Sequence, residues 1–282
     1  MKKTIILLAL LFFVSAKIFA HEKGAPFSGA IIDPLRVHHG HIENEQRLNS
    51  FYFNGFGSNS GFSNSYEIAF RWNKKFNFGS EMLIPFSNSG INNEYGIGDI
   101  ELWPIKYAFI NDPQTIFTGV LNLNIPTGNT FKGLGEGNTT LGGLLFLDHA
   151  YRNWFFGLNT EMVTNVAGTS QTKMELSSVM SYSFIKGTGT DMAASEPDQK
   201  IVPALSMELI SESVLGGSGA GNNLVTIIPG LNIELPKSRF QFRIGAEIPL
   251  SVERTSDYTF IFQIGNHLNW GKMFNKKNVH HD

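Results

Sequence analysis

Histidine and glutamate residues are concentrated near residue 40. The run His38-His39-Gly40-His41 is followed by Glu43 and Glu45. Imidazole and carboxylate groups this close together can bind Zn²⁺, Cu²⁺ or Ni²⁺. His38, His39 and His41 are therefore candidate metal ligands. A polar, His-rich tail without a metal would give the same pattern.

Ten charged side chains recur at alternate positions of otherwise apolar segments. Seven are acids and three are bases, so they can either line a path that filters solutes or pair with one another. A net charge of −2 gives no electrostatic case for binding nucleic acid. The candidate lining residues are Glu67, Arg71, Glu81, Asp99, Glu101, Lys106, Glu161, Glu208, Arg243 and Glu247.

These charges are positioned by segments with a two-residue repeat. Tyr66, Ile68, Phe70 and Trp72 share one face of such a segment, and the intervening residues share the other. Successive side chains of a β-strand point to opposite faces, so the repeat predicts strands. We predict twelve of them: 47–56, 65–73, 76–85, 98–110, 115–125, 139–148, 154–163, 174–185, 201–211, 223–235, 240–250 and 258–270.

The strand lengths and the composition predict an all-β fold, a transmembrane antiparallel β-barrel. Most predicted strands have about 9–12 residues, which is enough to cross a bilayer at a tilt. Only 16% of residues are charged, yet the mean hydropathy is −0.06. An apolar face toward lipid and a polar face toward the lumen would give both values. A soluble β-sandwich, which also alternates, is the other possibility.

Connections between the predicted strands alternate in length. Short turns lie at one end and longer polar loops at the other: 57–64, 86–97, 126–138, 164–173 and 212–222. In outer-membrane barrels the short turns are periplasmic, which would place both termini in the periplasm. The connection 186–200 departs from this rule. An aromatic girdle is expected at the periplasmic rim, formed by Trp72, Trp154, Trp270, Phe76, Tyr107, Phe109 and Phe240.

The sequence is predicted to divide into four regions. Residues 1–20 form a secretory signal peptide, with Lys2 and Lys3 before an apolar run and cleavage after Ala16 or Ala20. Residues 21–46 form a periplasmic segment that can enter the barrel as a plug. The barrel spans 47–270, with a bulge at Pro104 that brings Lys106 to the lumen face. A periplasmic tail, 271–282, follows.

Two stretches carry a resemblance to known proteins. Gly98-Asp99-Ile100-Glu101-Leu102, Lys106-Tyr107 and Leu123-Asn124-Ile125-Pro126-Thr127-Gly128 resemble motifs of the meta-pathway phenol-degradation group of outer-membrane barrels, which is close to the hydrophobic-compound transporters. The resemblance implies uptake of small, apolar molecules. Gln263 to Trp270 is similar to the terminal-strand signal that the barrel-assembly machinery reads, although residues 271–282 continue past it.

We predict a bacterial outer-membrane channel or transporter that passes small solutes by passive diffusion. Its partners are outer-membrane lipid, the barrel-assembly machinery and the solute, with no cofactor and no nucleic acid. A closed structural or surface-interaction barrel is the alternative. An outer-membrane lipid hydrolase is a third hypothesis, for which His149 and His267 are the only histidines in the barrel. Both lie near the short-turn end, whereas hydrolysis in the outer leaflet needs the opposite rim, so we predict a non-enzyme.

Overall fold

Antiparallel β-strands make up most of the described chain. The computed structural model describes residues 26–27, 34–55, 60–89, 94–185, 201–235, 240–253 and 256–267. Within those ranges, the strands are β1 (Glu45–Gly55), β2 (Ser60–Arg71), β3 (Phe78–Ser89), β4 (Glu94–Ile97), β5 (Ile100–Asn111), β6 (Thr115–Ile125), β7 (Thr139–Tyr151), β8 (Trp154–Ala167), β9 (Gln171–Ser183), β10 (Val202–Gly217), β11 (Asn223–Leu235), β12 (Phe240–Pro249) and β13 (Ser256–His267), with one 3-10 helix at Thr130–Lys132.

The sheet closes on itself because β1 pairs with both β2 and β13. The short β4 pairs with β3, and only Gly98 and Asp99 separate it from β5. β4 and β5 therefore count as one crossing of the wall, interrupted by two residues. The fold is a closed twelve-stranded antiparallel barrel, which confirms the fold predicted from the strand pattern. No helix in the described ranges is long and apolar enough to cross a membrane.

Side chains alternate between an apolar outer face and an enclosed inner face. In β8, Leu158 and Met162 are 57% and 58% exposed on the outside, whereas Gly157 and Asn159 are buried inside. An apolar belt of this extent is costly in water and favourable in lipid. The belt includes Phe62, Phe109, Leu121, Leu145, Phe156, Leu176, Leu205, Leu209, Ile244, Phe260 and Phe262.

The predicted bulge at Pro104 is present. The register between β5 and β6 shifts between Leu102 and Ile105. Since one extra residue is accommodated there, Trp103 and Lys106 are both buried on the inner face. The Nζ atom of Lys106 lies 3.2 Å from Oε2 of Glu81, which is on the neighbouring strand β3.

Four predicted long loops are wrong, because strands occupy much of their expected ranges. The connections are only 56–59, 90–93, 168–170 and 218–222. The extensions of β2, β8 and β10 carry only single outward apolar residues among polar ones, namely Phe62, Val166 and Leu215, so the two-residue repeat fades while backbone pairing continues. β10, for example, runs to Gly217 rather than residue 211. Loop length therefore gives little support for the orientation of the barrel, which stays a prediction.

The turn between β2 and β3 also differs from the predicted two residues, since it spans 72–77. Phe76 adopts a left-handed backbone conformation with φ of 56°. Its ring is buried, with the Arg71 guanidinium 4.1 Å from its centroid. The prediction that Phe76 belongs to the aromatic girdle is therefore wrong. Trp72, in the same turn, is 62% exposed and faces outward as expected.

Several predicted regions lie outside the described residues. They are the signal peptide at 1–20, the insertion at 186–200, Trp270 and the tail at 271–282. The division of the chain into four regions stays a prediction.

We predict that proline within β1 prevents barrel closure. Ser50 pairs with Phe262 on one side and with Asn64 on the other. Proline there removes a ladder hydrogen bond and distorts both pairings. Ser50→Pro should abolish the faster migration of unboiled protein on SDS gels. The control Val252→Pro, at a connection residue that is 96% exposed, should retain it. Identical migration of the two variants would contradict the closure described here.

Candidate functional site in the barrel lumen

The structure places nine of the ten predicted lining residues on the inner face. Five are buried: Glu67, Glu81, Lys106, Glu208 and Arg243. The other four are partly exposed to the lumen: Arg71, Glu101, Glu161 and Glu247. Whether any of them lines a path for solutes stays a prediction.

Asp99 has a different position. It lies between β4 and β5, where its two carboxylate oxygens accept hydrogen bonds from the backbone N–H groups of Gly128 and Glu136, both at 2.8 Å. These donors belong to the connection between β6 and β7. Asp99 therefore anchors that loop.

Residues 34–44, which we call the lumen segment, lie inside the barrel and are almost entirely buried. Their strongest attachment is Glu208 on β10. Its Oε1 accepts a hydrogen bond from the backbone N–H of Leu35 at 2.5 Å, and its Oε2 accepts those of Arg36 and Val37 at 2.9 and 2.8 Å. Three successive N–H groups thus donate to one carboxylate, which offsets part of the cost of burying it.

Gly40 is held by two strands. Its N–H donates to Asp148 Oδ2 at 2.5 Å, and its carbonyl accepts from Thr118 Oγ1 at 2.6 Å. A Cβ atom at this position would lie 3.1 Å from Thr118 Oγ1 and 3.2 Å from the Asp148 carboxylate. The close fit explains why a residue without a side chain occurs here.

Side chains of the barrel wall also donate hydrogen bonds to backbone carbonyls of the lumen segment. Asn159 Nδ2 donates to the carbonyl of His38, Arg243 Nη1 to that of Pro34 and Gln263 Nε2 to that of Leu35. The donors come from β8, β12 and β13, on different sides of the barrel. The lumen segment therefore crosses the interior and satisfies its buried backbone on the surrounding wall.

Apolar packing accompanies these hydrogen bonds. Leu35, Val37 and Ile42 of the lumen segment belong to one buried cluster with inward residues of the wall. The expectation of a polar inner face is therefore incomplete, since several strands carry apolar residues at positions whose parity points inward. These wall residues are Ala108, Ile116, Ala150, Phe155, Val179, Ile210, Ile228 and Ile261.

The structure separates His38 from the other two candidate metal ligands, His39 and His41. The His38 ring packs edge-on against Trp103, with centroids 4.6 Å apart. Burial, and secondarily the positive charge of Lys106, lower the pKa of His38 from 6.5 to about 3. His38 is thus a neutral ring on an aromatic wall.

His39 and His41 instead meet Glu45, the first residue of β1. The two rings are stacked with centroids 3.7 Å apart and planes within 5°. Burial, followed by the adjacent His41, holds the pKa of His39 well below 6.5. The Nε2 atoms of His39 and His41 lie 4.0 and 3.8 Å from Glu45 Oε2.

A row of acids lies on the inner face toward the other end of the barrel. Glu161, Glu175 and Glu212 are directly opposite one another on β8, β9 and β10. Asn122 Nδ2 extends the row by donating to Glu161 Oε1 at 2.7 Å and to Glu101 Oε1 at 3.0 Å. Like charges directly opposite each other are unfavourable unless water or a cation reaches them.

Two cations face these acids. Lys173 lies 3.4 Å from Glu212, and their side chains are 35% and 39% exposed. Arg36 of the lumen segment is 45% exposed and lies 4.0 Å from Glu247. All four side chains point into the barrel, so among the described residues their exposed surface adjoins unfilled space in this half of the lumen.

Sequence reasoning placed several of these residues outside the lumen. Glu45 was noted beside the histidines, but it precedes the predicted start of the first strand, and Glu212 follows the predicted end of the ninth. Glu175 lies in a polar stretch, 171–178, without a clear apolar face. Backbone pairing between strands continues past the apolar belt. Charged residues just beyond an alternating segment could therefore have been recognised as further residues of the lumen.

His149, considered for hydrolysis, lies on the outer face of β7, where its Nδ1 is 3.0 Å from Thr115 Oγ1. The side chain of His267 lies outside the described residues.

Comparison with solved structures shows the same fold in outer-membrane proteins. An outer membrane channel from Pseudomonas putida F1 is 12% identical, with a TM-score of 0.54, covering 84% of this chain and 100% of its own. The KdgM porin is 9% identical with a TM-score of 0.51, and the NanC porin 11% with 0.50. Each alignment covers 79% of this chain and 99% of the porin. No family model and no curated protein matches the sequence.

We predict that Glu208→Gln loosens the lumen segment. The amide loses the negative charge and turns a donor toward N–H groups, which should cost on the order of 3 kcal/mol for three charge-assisted bonds. Hydrogen exchange followed by mass spectrometry should show faster exchange of the segment's amides, by tenfold or more. Glu212→Gln, on the same strand and face but paired with Lys173, is the matched control. Unchanged protection in Glu208→Gln would refute this attachment.

Proposed function

We propose that this chain is an outer-membrane channel for small solutes, narrowed by its own lumen segment. The apolar belt and closed pairing suit a bilayer, where backbone groups must be satisfied within the protein. The fold it shares with a channel and two porins supports this reading. We further propose that both termini are periplasmic, in keeping with the even number of crossings.

The observation that carries the proposal is the partial exposure of charged side chains within the barrel. Arg36, Lys173 and Glu212 keep between about a third and a half of their surface accessible. A fully packed interior would bury them, at a high cost in desolvation. One half of the lumen is therefore a water-filled vestibule, and the lumen segment forms its floor.

The acidic row sets the selectivity of this vestibule. Glu101, Glu161, Glu175, Glu212 and Glu247 contribute five acids, against Lys173 and Arg36. Rings of carboxylates favour cations in membrane pores. Among charged solutes we therefore propose passive diffusion with a preference for cations. The sequence resemblance to the phenol-degradation group supports small apolar molecules as further solutes.

A closed structural barrel is the second candidate, and one observation favours it. The lumen segment combines hydrogen bonds to β6, β7, β8, β10, β12 and β13 with a continuous apolar cluster. Such a floor could seal the barrel completely. Conductance separates the two functions.

We predict that removing the floor opens the pore. In planar bilayers the full chain should give small single-channel steps, and a variant without residues 21–44 should give steps several-fold larger. The deletion ends before Glu45, so β1 remains complete. Heat-modifiable migration on SDS gels controls for folding of the barrel. A silent full chain beside a conducting deletion variant would establish the closed barrel. Equal steps would refute the narrowing.

We also predict that the acidic row makes the channel cation-selective. Under a KCl gradient the reversal potential should favour K⁺, and Glu161→Gln combined with Glu175→Gln and Glu212→Gln should reduce the K⁺/Cl⁻ permeability ratio several-fold. Replacing Glu136 and Glu253, which are exposed, should change it little. Anion selectivity in the unmodified protein, or equal effects of both sets, would contradict this assignment.

A further inference from the structure

His39, His41 and Glu45 form a compact group of metal-ligating side chains at the start of the barrel. The two histidines are two residues apart, and their rings stack on the same side of the lumen segment. Glu45 opens β1 with its side chain inward. All three side chains are buried, and one potential ligand atom from each lies within 4.8 Å of the others.

The geometry is close to that of a bound ion. Tetrahedral Zn²⁺ with bonds of about 2.0–2.1 Å requires ligand atoms roughly 3.4 Å apart. The separations between Glu45 Oε2 and the two Nε2 atoms are 4.0 and 3.8 Å. Metal binding would shorten these two separations by about half an ångström, and it would require the stacked imidazole rings to tilt apart, because each ring binds a metal in its own plane.

The second oxygen of Glu45 is already oriented. Its Oε1 accepts a hydrogen bond from Arg47 Nη2 at 3.0 Å, and Arg243 Nη2 lies 3.8 Å away. This leaves Oε2 as the oxygen that faces the imidazoles. A carboxylate held by outer hydrogen bonds in this way is typical of metal ligands.

Arg47 must yield one contact for a metal to bind. Its Nη2 is also 3.2 Å from His39 Nε2, the nitrogen that would become a ligand. The guanidinium keeps other anionic partners, since its Nη1 lies 3.5 Å from Glu67 Oε1 and its Nη2 bonds Glu45. Metal and Arg47 thus compete for one nitrogen.

We propose that His39, His41 and Glu45 bind one divalent transition-metal ion of the Zn²⁺, Cu²⁺ and Ni²⁺ class. Imidazole with a single carboxylate suits these ions rather than Mg²⁺ or Ca²⁺, which prefer oxygen ligands. The ion would join the lumen segment to the first strand and fix the segment's exit from the barrel. The site does not depend on whether the barrel conducts.

The test uses folded, tag-free protein in which His21, His280 and His281 are replaced by alanine, so that terminal histidines contribute nothing. Calorimetric titration with ZnCl₂ should give one ion per barrel. His39→Gln with His41→Gln should weaken binding at least 100-fold, and Glu45→Gln about tenfold. His38→Gln is the matched control, because its ring lies against Trp103, and it should bind like the parent.

A second measurement needs no substitution at the site. Cu²⁺ added to the same parent protein should give an electron paramagnetic resonance spectrum with two nitrogen ligands. Mg²⁺ should not displace the ion. Absence of stoichiometric binding in the parent, a spectrum without two nitrogens, or equal loss in His38→Gln would overturn the site. Binding that persists in the folded double variant would overturn it as well.

Discussion

A β-strand in a bilayer must satisfy its backbone through its neighbours while its two faces meet two different solvents. Lipid offers no hydrogen bonds, so the edges must close, and here β1 closes on β13. The same constraint sends Leu158 and Phe260 outward and Glu208 and Arg243 inward. Nearly every charge of the strands is therefore enclosed, and the interior must accommodate them by pairing, hydration or a guest segment.

The lumen segment resolves part of that problem. Its four N–H groups at residues 35, 36, 37 and 40 bind Glu208 and Asp148, and its carbonyls accept from Thr118, Asn159, Arg243 and Gln263. The barrel wall and the lumen segment thus provide hydrogen-bonding partners for each other. Toward the opposite end no such segment is described, and the charged side chains there are partly exposed. Within the described residues, one barrel thus combines a packed half and a more open half.

Period-two alternation was sufficient to predict the barrel, its strand number and the facing of most charges. It also located the bulge at Pro104, since proline cannot donate to the ladder. Strand ends were missed because the extensions of β8 and β10 each carry a single large outward apolar residue, Val166 and Leu215, which is too few to show a repeat. The inward turn of Phe76 depends on one backbone angle of 56° that no local pattern signals.

The contacts of the lumen segment were beyond sequence reasoning for a different reason. Glu208 bonds residues more than 170 positions away, and Gln263 bonds Leu35 across 228. These hydrogen bonds join residues that become neighbours only when the barrel closes around the lumen segment. Only the inward parity of residues such as Ile116, Phe155 and Ile228 hinted that something apolar fills the lumen.

Disulfide trapping tests most directly whether the segment lies in the lumen. The chain has no cysteine, so Leu35→Cys with Gly230→Cys introduces one defined pair across the segment and β11, where a Cβ atom at residue 230 would reach the space that the Leu35 side chain occupies. Asn49→Cys with Ser65→Cys, on paired strands, reports the oxidising conditions. We expect both pairs to cross-link in isolated outer membranes, as seen by mass spectrometry. Cross-linking of the 49–65 pair alone would contradict an occupied lumen.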